Sequence, residues 1–274
     1  MRGRTCSVGV LAVVTSLLSV VPGSAEPGGT SQAEIVGGQQ ARIRDYPYVA
    51  YLADRRGRQF CGAALFAPAR VVTAAHCVAN VDADALIVVA GREDTRTDAG
   101  REVGVRRIWV HPRFRNAVRG YDVAVLELAG PLPYRPVRLA GEADDDLYQA
   151  GRKATVLGWG YTAEGGQSSP VLRSAEVPVR SDRVCSQAYV QYVPEVMVCA
   201  GYDDGGVDAC QGDSGGPLVV RGKLIGLVSW GEGCARPGKP GVYTEVRALV
   251  EDIVRADDGD GAKSGAGLLG VSGR

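Results

Sequence analysis

Histidine is scarce: the 274-residue chain has two, His76 and His111. Any imidazole chemistry must use one of them, and a metal centre built on several histidines is excluded. No CxxC pair or His-rich tract marks a zinc site, so neither a metal nor a cofactor is expected. An excess of either charge is lacking too. Lys+Arg and Asp+Glu number 31 each, for a net charge of zero. That balance argues against nucleic acid or a membrane surface as the main partner. Lysine is reduced to Lys153, Lys223, Lys239 and Lys263, and the arginine excess reads as codon bias rather than chemistry. Long apolar runs are missing except at 8–21, which is too short for a comfortable membrane span. With Arg2 and Arg4 before it and Gly23-Ser24-Ala25 after it, residues 1–25 read as a secretory signal cleaved after Ala25. The mature chain is expected to be a secreted, extracellular, soluble monomer.

What is present points to a β-rich fold. The chain is 45% hydrophobic, ample for a sizeable core. Cys6 leaves with the signal, so Cys61, Cys77, Cys185, Cys199, Cys210 and Cys234 remain. An even set in an exported chain implies disulfides, whose pairing the spacing alone leaves open. Residues 26–34 are polar and Gly-rich and read as a short disordered segment. From Ile35 on, short β-branched runs recur between Gly, Pro, Asp and Asn, at 71–73, 86–90, 123–128, 154–157, 217–220, 224–229 and 241–246. This pattern predicts an all-β barrel or sandwich. One segment has helical periodicity: Val246, Leu249, Val250, Ile253 and Val254 predict a C-terminal helix over 246–256. The remainder, 256–274, is rich in Gly, Asp, Ala and Ser and reads as a disordered tail.

Few residues carry chemistry. His111, in Trp109-Val110-His111-Pro112, has no nucleophile beside it and reads as structural. His76 stands in Thr73-Ala74-Ala75-His76-Cys77, where small alanines leave room for the ring. Ser214 is the most specific signal, in Cys210-Gln211-Gly212-Asp213-Ser214-Gly215-Gly216-Pro217. Glycines on both sides suit a hydroxyl at a tight turn, with backbone N–H groups free to face a substrate oxygen. A serine nucleophile with a histidine base needs an acid to hold the imidazole tautomer. Asp122 opens the apolar run Val123-Ala124-Val125-Leu126, so its carboxylate is expected to turn inward, where it needs a partner.

Ile35-Val36-Gly37-Gly38, Thr73-Ala74-Ala75-His76-Cys77, Asp122-Val123-Ala124-Val125-Leu126, Gly212-Asp213-Ser214-Gly215-Gly216-Pro217 and Ser229-Trp230-Gly231 follow one another in this order. From Ile35 to about Arg255 the chain resembles the chymotrypsin-fold serine proteases, trypsin branch, and bacterial secreted trypsins especially. The resemblance implies two six-stranded antiparallel β-barrels, over 35–140 and 141–255, the second carrying the C-terminal helix. It implies a triad of His76, Asp122 and Ser214, with an oxyanion hole from the N–H groups of Gly212 and Ser214. Disulfides Cys61–Cys77, Cys185–Cys199 and Cys210–Cys234 follow from it. Asp208, beside Ala209, would floor a pocket for Arg or Lys side chains. Gly231 and Gly241 would leave that pocket open, and Ser229-Trp230-Gly231 would pair with the substrate backbone. Residues 26–34 become an activation peptide, and cleavage after Glu34 frees an Ile35 ammonium to pair with Asp213. The implied partners are peptide and protein substrates and proteinaceous serine-protease inhibitors.

Two positions depart from the family pattern. Glu34 stands where self-activating relatives carry Lys or Arg, which argues against self-activation. Arg92 stands near where animal trypsins begin a calcium loop with glutamate, which argues against that site; Asp182 and Glu245 lie in regions some bacterial trypsins use for calcium. A catalytically dead relative acting as a binding protein is the alternative function, and the intact His76, Asp122, Ser214 and Gly212 oppose it. An ester hydrolase with a Gly-x-Ser-x-Gly elbow is a further alternative, opposed by the His, Asp, Ser order.

Overall fold

The computed structural model describes residues 35–256, together with Met1, Gly3 and the pair 263–264. The expected signal 1–25, activation segment 26–34 and tail 256–274 lie outside the described residues apart from those few positions.

The apolar runs of the first half become a closed barrel. A two-residue strand, β1 (Gln39–Gln40), comes first and pairs elsewhere. Then follow β2 (Val49–Asp54), β3 (Gln59–Ala67), β4 (Arg70–Thr73), β5 (Leu86–Ala90), β6 (Arg101–Val110) and β7 (Ala124–Leu128). Their order is β6-β5-β2-β3-β4-β7, all antiparallel, and β6 pairs back onto β7 with Ile108 opposite Leu126. Ala50, Ala53, Ala63 and Ala64 are fully buried beside Leu52, Leu65 and Leu126. Mixing small with large side chains lets a narrow six-stranded bore fill without voids.

The second half corrects the expectation of two six-stranded barrels. β8 (Arg138–Leu139), β9 (Lys153–Gly158), β10 (Arg173–Pro178), β11 (Met197–Ala200), β12 (Pro217–Val220), β13 (Lys223–Trp230) and β14 (Gly241–Glu245) join β1 in one eight-stranded sheet. The order is β1-β10-β9-β12-β13-β14-β11, with β8 parallel on β13. The path does not close into a ring. No ladder joins β11 back to β10; past the end of β10 the strand pairing is reduced to the isolated bridge Val179–Ala200. A physical reason lies at the end of β10: Pro178 has no N–H to carry a second ladder onward. The architecture is one closed six-stranded antiparallel barrel, a separate eight-stranded sheet and a C-terminal helix. The short β15 (Lys263–Ser264) adds to the barrel's β6, with Lys263 opposite Ile108.

Three α-helices are present among the described residues: α1 (Ala75–Val78), α2 (Asp182–Ala188) and α3 (Val246–Val254). Of the expected stripe α3 buries Val246, Leu249 and Ile253, while Val250 is half-buried and Val254, where the helix ends two residues short of the expected 256, is exposed. The Arg70 guanidinium donates to the carbonyls of Ile253 (3.1 Å) and Val254 (3.0 Å), satisfying the orphan acceptors of its last turn. α2 is not anticipated by the sequence pattern, because seven residues are too few to show a period. Its local signal is Ser181, whose hydroxyl caps the Val184 N–H at 3.4 Å.

Candidate active site

β4 ends at Thr73 and the chain turns at once into α1, which carries His76. The disulfide Cys61–Cys77 ties that turn to β3, with the two Cα atoms 6.4 Å apart. Asp122 arrives from the opposite direction, just ahead of β7. Its carboxylate accepts the His76 N–H on Oδ1 (2.9 Å) and lies 2.7 Å from His76 Nδ1 through Oδ2. A carboxylate only accepts, so Nδ1 carries the proton and Nε2 is left as the free acceptor. The Asp122 side chain is 1% exposed and that of His76 is 30% exposed. A third donor, the Ser229 hydroxyl, reaches Oδ2 at 2.6 Å, and the Thr244 hydroxyl holds the Asp122 carbonyl at 2.8 Å. This buried carboxylate therefore has the donors that such burial demands.

Ser214 sits on a turn docked against β3 through main chain. Its carbonyl accepts the Gly62 N–H at 2.7 Å, and Cys77 Sγ, next in sequence to His76, is 3.7 Å from the same oxygen. Glycine is required at this seam. A Cβ on Gly215 (φ +77°) would lie 2.1 Å from Thr73 Oγ1, and one on Gly62 would lie 2.7 Å from Gly216 Cα. Gln59, which no local pattern singles out, donates through Nε2 to the Gly212 carbonyl at 2.8 Å.

Asp208, Ala209, Ser214, Ser229, Trp230, Gly231 and Gly241 all line one cavity of about 210 Å³. Asp208 is buried in its wall. Its Oδ1 accepts the Ala209 N–H (2.8 Å) and its Oδ2 the Ala235 N–H (3.2 Å). No cation pairs with it among the described residues. Burial is the main cause of a pKa pushed up to about 7. A Cβ on Gly241 would stand 2.6 Å from Asp208 Oδ1, so any side chain there would fill the space beside the acid. Cys210–Cys234 joins the chain after Asp208 to the segment that holds Ala235. Cys185–Cys199 staples α2 to β11.

Asp213 is wholly buried, with Oδ1 accepting from Gly160 N–H (2.7 Å) and Oδ2 from Cys210 N–H (3.0 Å). Burial pushes its pKa to about 7 as well. Ile35 is also fully buried, in an apolar cluster with Val156, Leu218 and Tyr243. Among the described residues, one group of three potential metal donors comes together, Cys61, His76 and Cys77. The two sulfurs are bonded to each other and offer no thiolate. Asp182 accepts from the Tyr192 hydroxyl and Glu245 from Arg247, so both carboxylates are engaged. Arg92 places its own guanidinium in the 91–101 loop, on the Ala99 carbonyl (2.6 Å), the Tyr51 hydroxyl (3.3 Å) and Glu102 (3.0 Å). No helix among the described residues is long and apolar enough to cross a membrane.

Comparison with known proteins agrees with this geometry. The family described as Trypsin matches residues 35–253. A trypsin of Saccharopolyspora erythraea is 52% identical over 220 residues, covering 80% of this chain and 96% of that protein. Trypsin eta of Drosophila melanogaster is 40% identical over 254 residues, 90% of this chain and 95% of that one. Hypodermin-B of Hypoderma lineatum is 40% identical over 263 residues, 93% and 97% of the two chains.

Proposed function

Since the chain belongs to the trypsin family and is a trypsin-like serine protease, we propose that it cleaves peptide bonds after Arg or Lys through an acyl-enzyme on Ser214. The observation that carries the specificity is Asp208. It is a buried carboxylate, in the same cavity as Ser214, whose hydrogen-bond partners among the described residues are backbone N–H groups. Such a group is incomplete until a cation enters. A guanidinium or ammonium from the residue before the scissile bond completes it and places the carbonyl carbon at Ser214.

His76 Nε2 takes the proton as Ser214 Oγ forms the bond to that carbon. The oxyanion is met by the N–H groups of Gly212 and Ser214. His76 then gives the proton to the leaving nitrogen as the C–N bond breaks. Water repeats the sequence, with His76 again as base, and releases the acid. Asp122 keeps the imidazole oriented and stabilises its cation.

The same reading extends to biosynthesis. Residues 1–25 direct export and are removed, and the extracellular proenzyme carries 26–34 until cleavage between Glu34 and Ile35. The freed ammonium becomes the cationic partner that buried Asp213, held by two backbone N–H groups, lacks among the described residues. Ser214→Ala tests the assignment: the protein should fold, bind benzamidine and hydrolyse no amide. Turnover at the wild-type rate would remove Ser214 from its role. Cleavage of a peptide library by the activated enzyme tests the preference for Arg and Lys.

A further inference from the structure

Tyr121 holds an unfavourable conformation at a position where glycine would serve. Its φ is +55°, in the left-handed region that disfavours a side chain. Gly120 before it has φ +81°. The Tyr121 carbonyl accepts the Val123 N–H at 2.8 Å, a three-residue turn with Asp122 at its centre. The conformation of Tyr121 therefore sets the direction in which the Asp122 side chain leaves the main chain.

The ring of Tyr121 is held from two residues. His111 stacks on it with centroids 4.9 Å apart and 26° between planes. The Arg113 guanidinium carbon lies 3.9 Å from its centroid, a cation–π contact. His111 is itself fixed. It is 3% exposed, its N–H donates to the Val123 carbonyl at 3.1 Å, and Trp109 meets it edge-on at 5.6 Å. Its Nδ1 accepts the Arg113 N–H at 3.1 Å, so the ring proton is on Nε2, 3.1 Å from Asp252 Oδ2 on α3. One neutral tautomer meets both neighbours.

We propose that His111, Tyr121 and Arg113 form a clamp that positions Asp122, and through it the His76 imidazole, with Asp252 anchoring the clamp to α3. The inference rests on reading Asp122 as the acid of the triad. The three are positioning residues, and His111 has this task in addition to filling space. A tyrosine used for packing alone would have no reason to occupy φ +55° beside a glycine. A glycine in its place would adopt the turn freely and leave the direction of Asp122 unfixed.

The test compares Tyr121→Phe, Tyr121→Gly and Tyr121→Ala in the activated enzyme. Phe keeps the ring and should stay within about twofold of wild-type kcat. Gly and Ala should lose about ten- to hundredfold in kcat, the scale on which misplaced catalytic groups slow reactions, with KM for an Arg amide unchanged. The far-downfield proton resonance of the His76–Asp122 hydrogen bond should persist in Phe and broaden or vanish in Gly and Ala. Asp252→Asn, at an exposed residue, should give a smaller loss in the same direction. If Ala fails to fold, Gly decides the matter, because its backbone relaxes at this φ. Full kcat and an unchanged resonance in Tyr121→Gly, alongside an inert Asp122→Asn, would overturn the clamp and leave the triad standing. A fully active Asp122→Asn would overturn the triad reading and the clamp with it.

Discussion

The Ser229 hydroxyl donates to Asp122 Oδ2 at 2.6 Å, the oxygen that also lies 2.7 Å from His76 Nδ1. A residue expected only to border the substrate thus completes the solvation of a buried carboxylate. A hydrogen bond to a charged group contributes about 1.5–3 kcal/mol. Ser229→Ala should lower kcat by about tenfold or more and leave the protein folded. Steady-state kinetics on an Arg anilide, with a thermal melt as control, decide it; an unchanged kcat would mean that His76 alone suffices to hold Asp122.

Asp208, with its pKa near 7, predicts a pH-dependent pocket. Below that pH the empty site holds a proton that an entering cation must expel. Affinity for benzamidine should rise up to about tenfold per unit between about pH 5 and pH 7 and then level off. Calorimetry in buffers of different ionisation enthalpy should detect the released proton. Pure uptake of heat without proton exchange at about pH 6 would contradict it.

The uncut chain has a second such group in Asp213. A carboxyl whose folded pKa lies above its unfolded value, about 3.9, favours the folded state at low pH. That contribution is complete below about pH 4 and is lost as pH rises through about 7. Asp213→Asn should therefore flatten the decline in proenzyme stability across this window, as read by urea melts at a series of pH values. In the activated enzyme the same substitution should abolish turnover, since the Ile35 ammonium would lack its counter-charge.

Ala209 lines the pocket beside Asp208 and offers it a backbone N–H but no hydroxyl. A planar guanidinium can meet a carboxylate through two parallel donors, whereas a compact ammonium benefits from an extra acceptor. We expect kcat/KM to favour Arg over Lys by about ten- to hundredfold, and Ala209→Ser to narrow the gap. Matched Arg and Lys amides test this, and equal rates in the wild type would refute it.

Activation should not be autocatalytic. A glutamate at position 34 cannot pair with Asp208, so a trace of mature enzyme should leave the proenzyme intact over hours. Accelerating conversion with Ile35 as the new N-terminus would count against this.

Arg92 puts a cation of its own into the 91–101 loop, on two neutral oxygens and Glu102. Chelators should leave the melting temperature unchanged. Arg92→Ala should lower stability by about 2 kcal/mol, the scale of a lost charge-assisted contact. A melt that shifts with EDTA would reveal a bound ion instead.

What could be read from the sequence follows the range of the physics involved. Ser214 and His76 stand in local contexts that limit their chemistry, and Asp122 opens an apolar strand that draws it inward. β7 announces itself because its residues are nearly all apolar, whereas β6 begins Arg101-Glu102-Val103-Gly104 and shows no such run. Gln59 and Thr244 left no trace, since their partners lie 153 and 122 positions away and nothing in their neighbourhoods repeats. Closure of a barrel is likewise a property of distant registers. The first half closes through β6 and β7, while the second stops at a single bridge past Pro178. No periodicity in the chain distinguishes those two outcomes.

The seam at Gly62, Gly215 and Gly216 has a consequence for how such a molecule can change. There the Ser214 turn packs directly on the barrel's main chain and on the Thr73 hydroxyl. One added methyl would wedge the two apart and displace the Ser214 turn. The cavity around Asp208 is lined in part by side chains, those of Ala209 and Gln211 among them, which can be exchanged one at a time. Mutational drift should accordingly be lopsided, with substrate preference free to wander while the three glycines stay frozen.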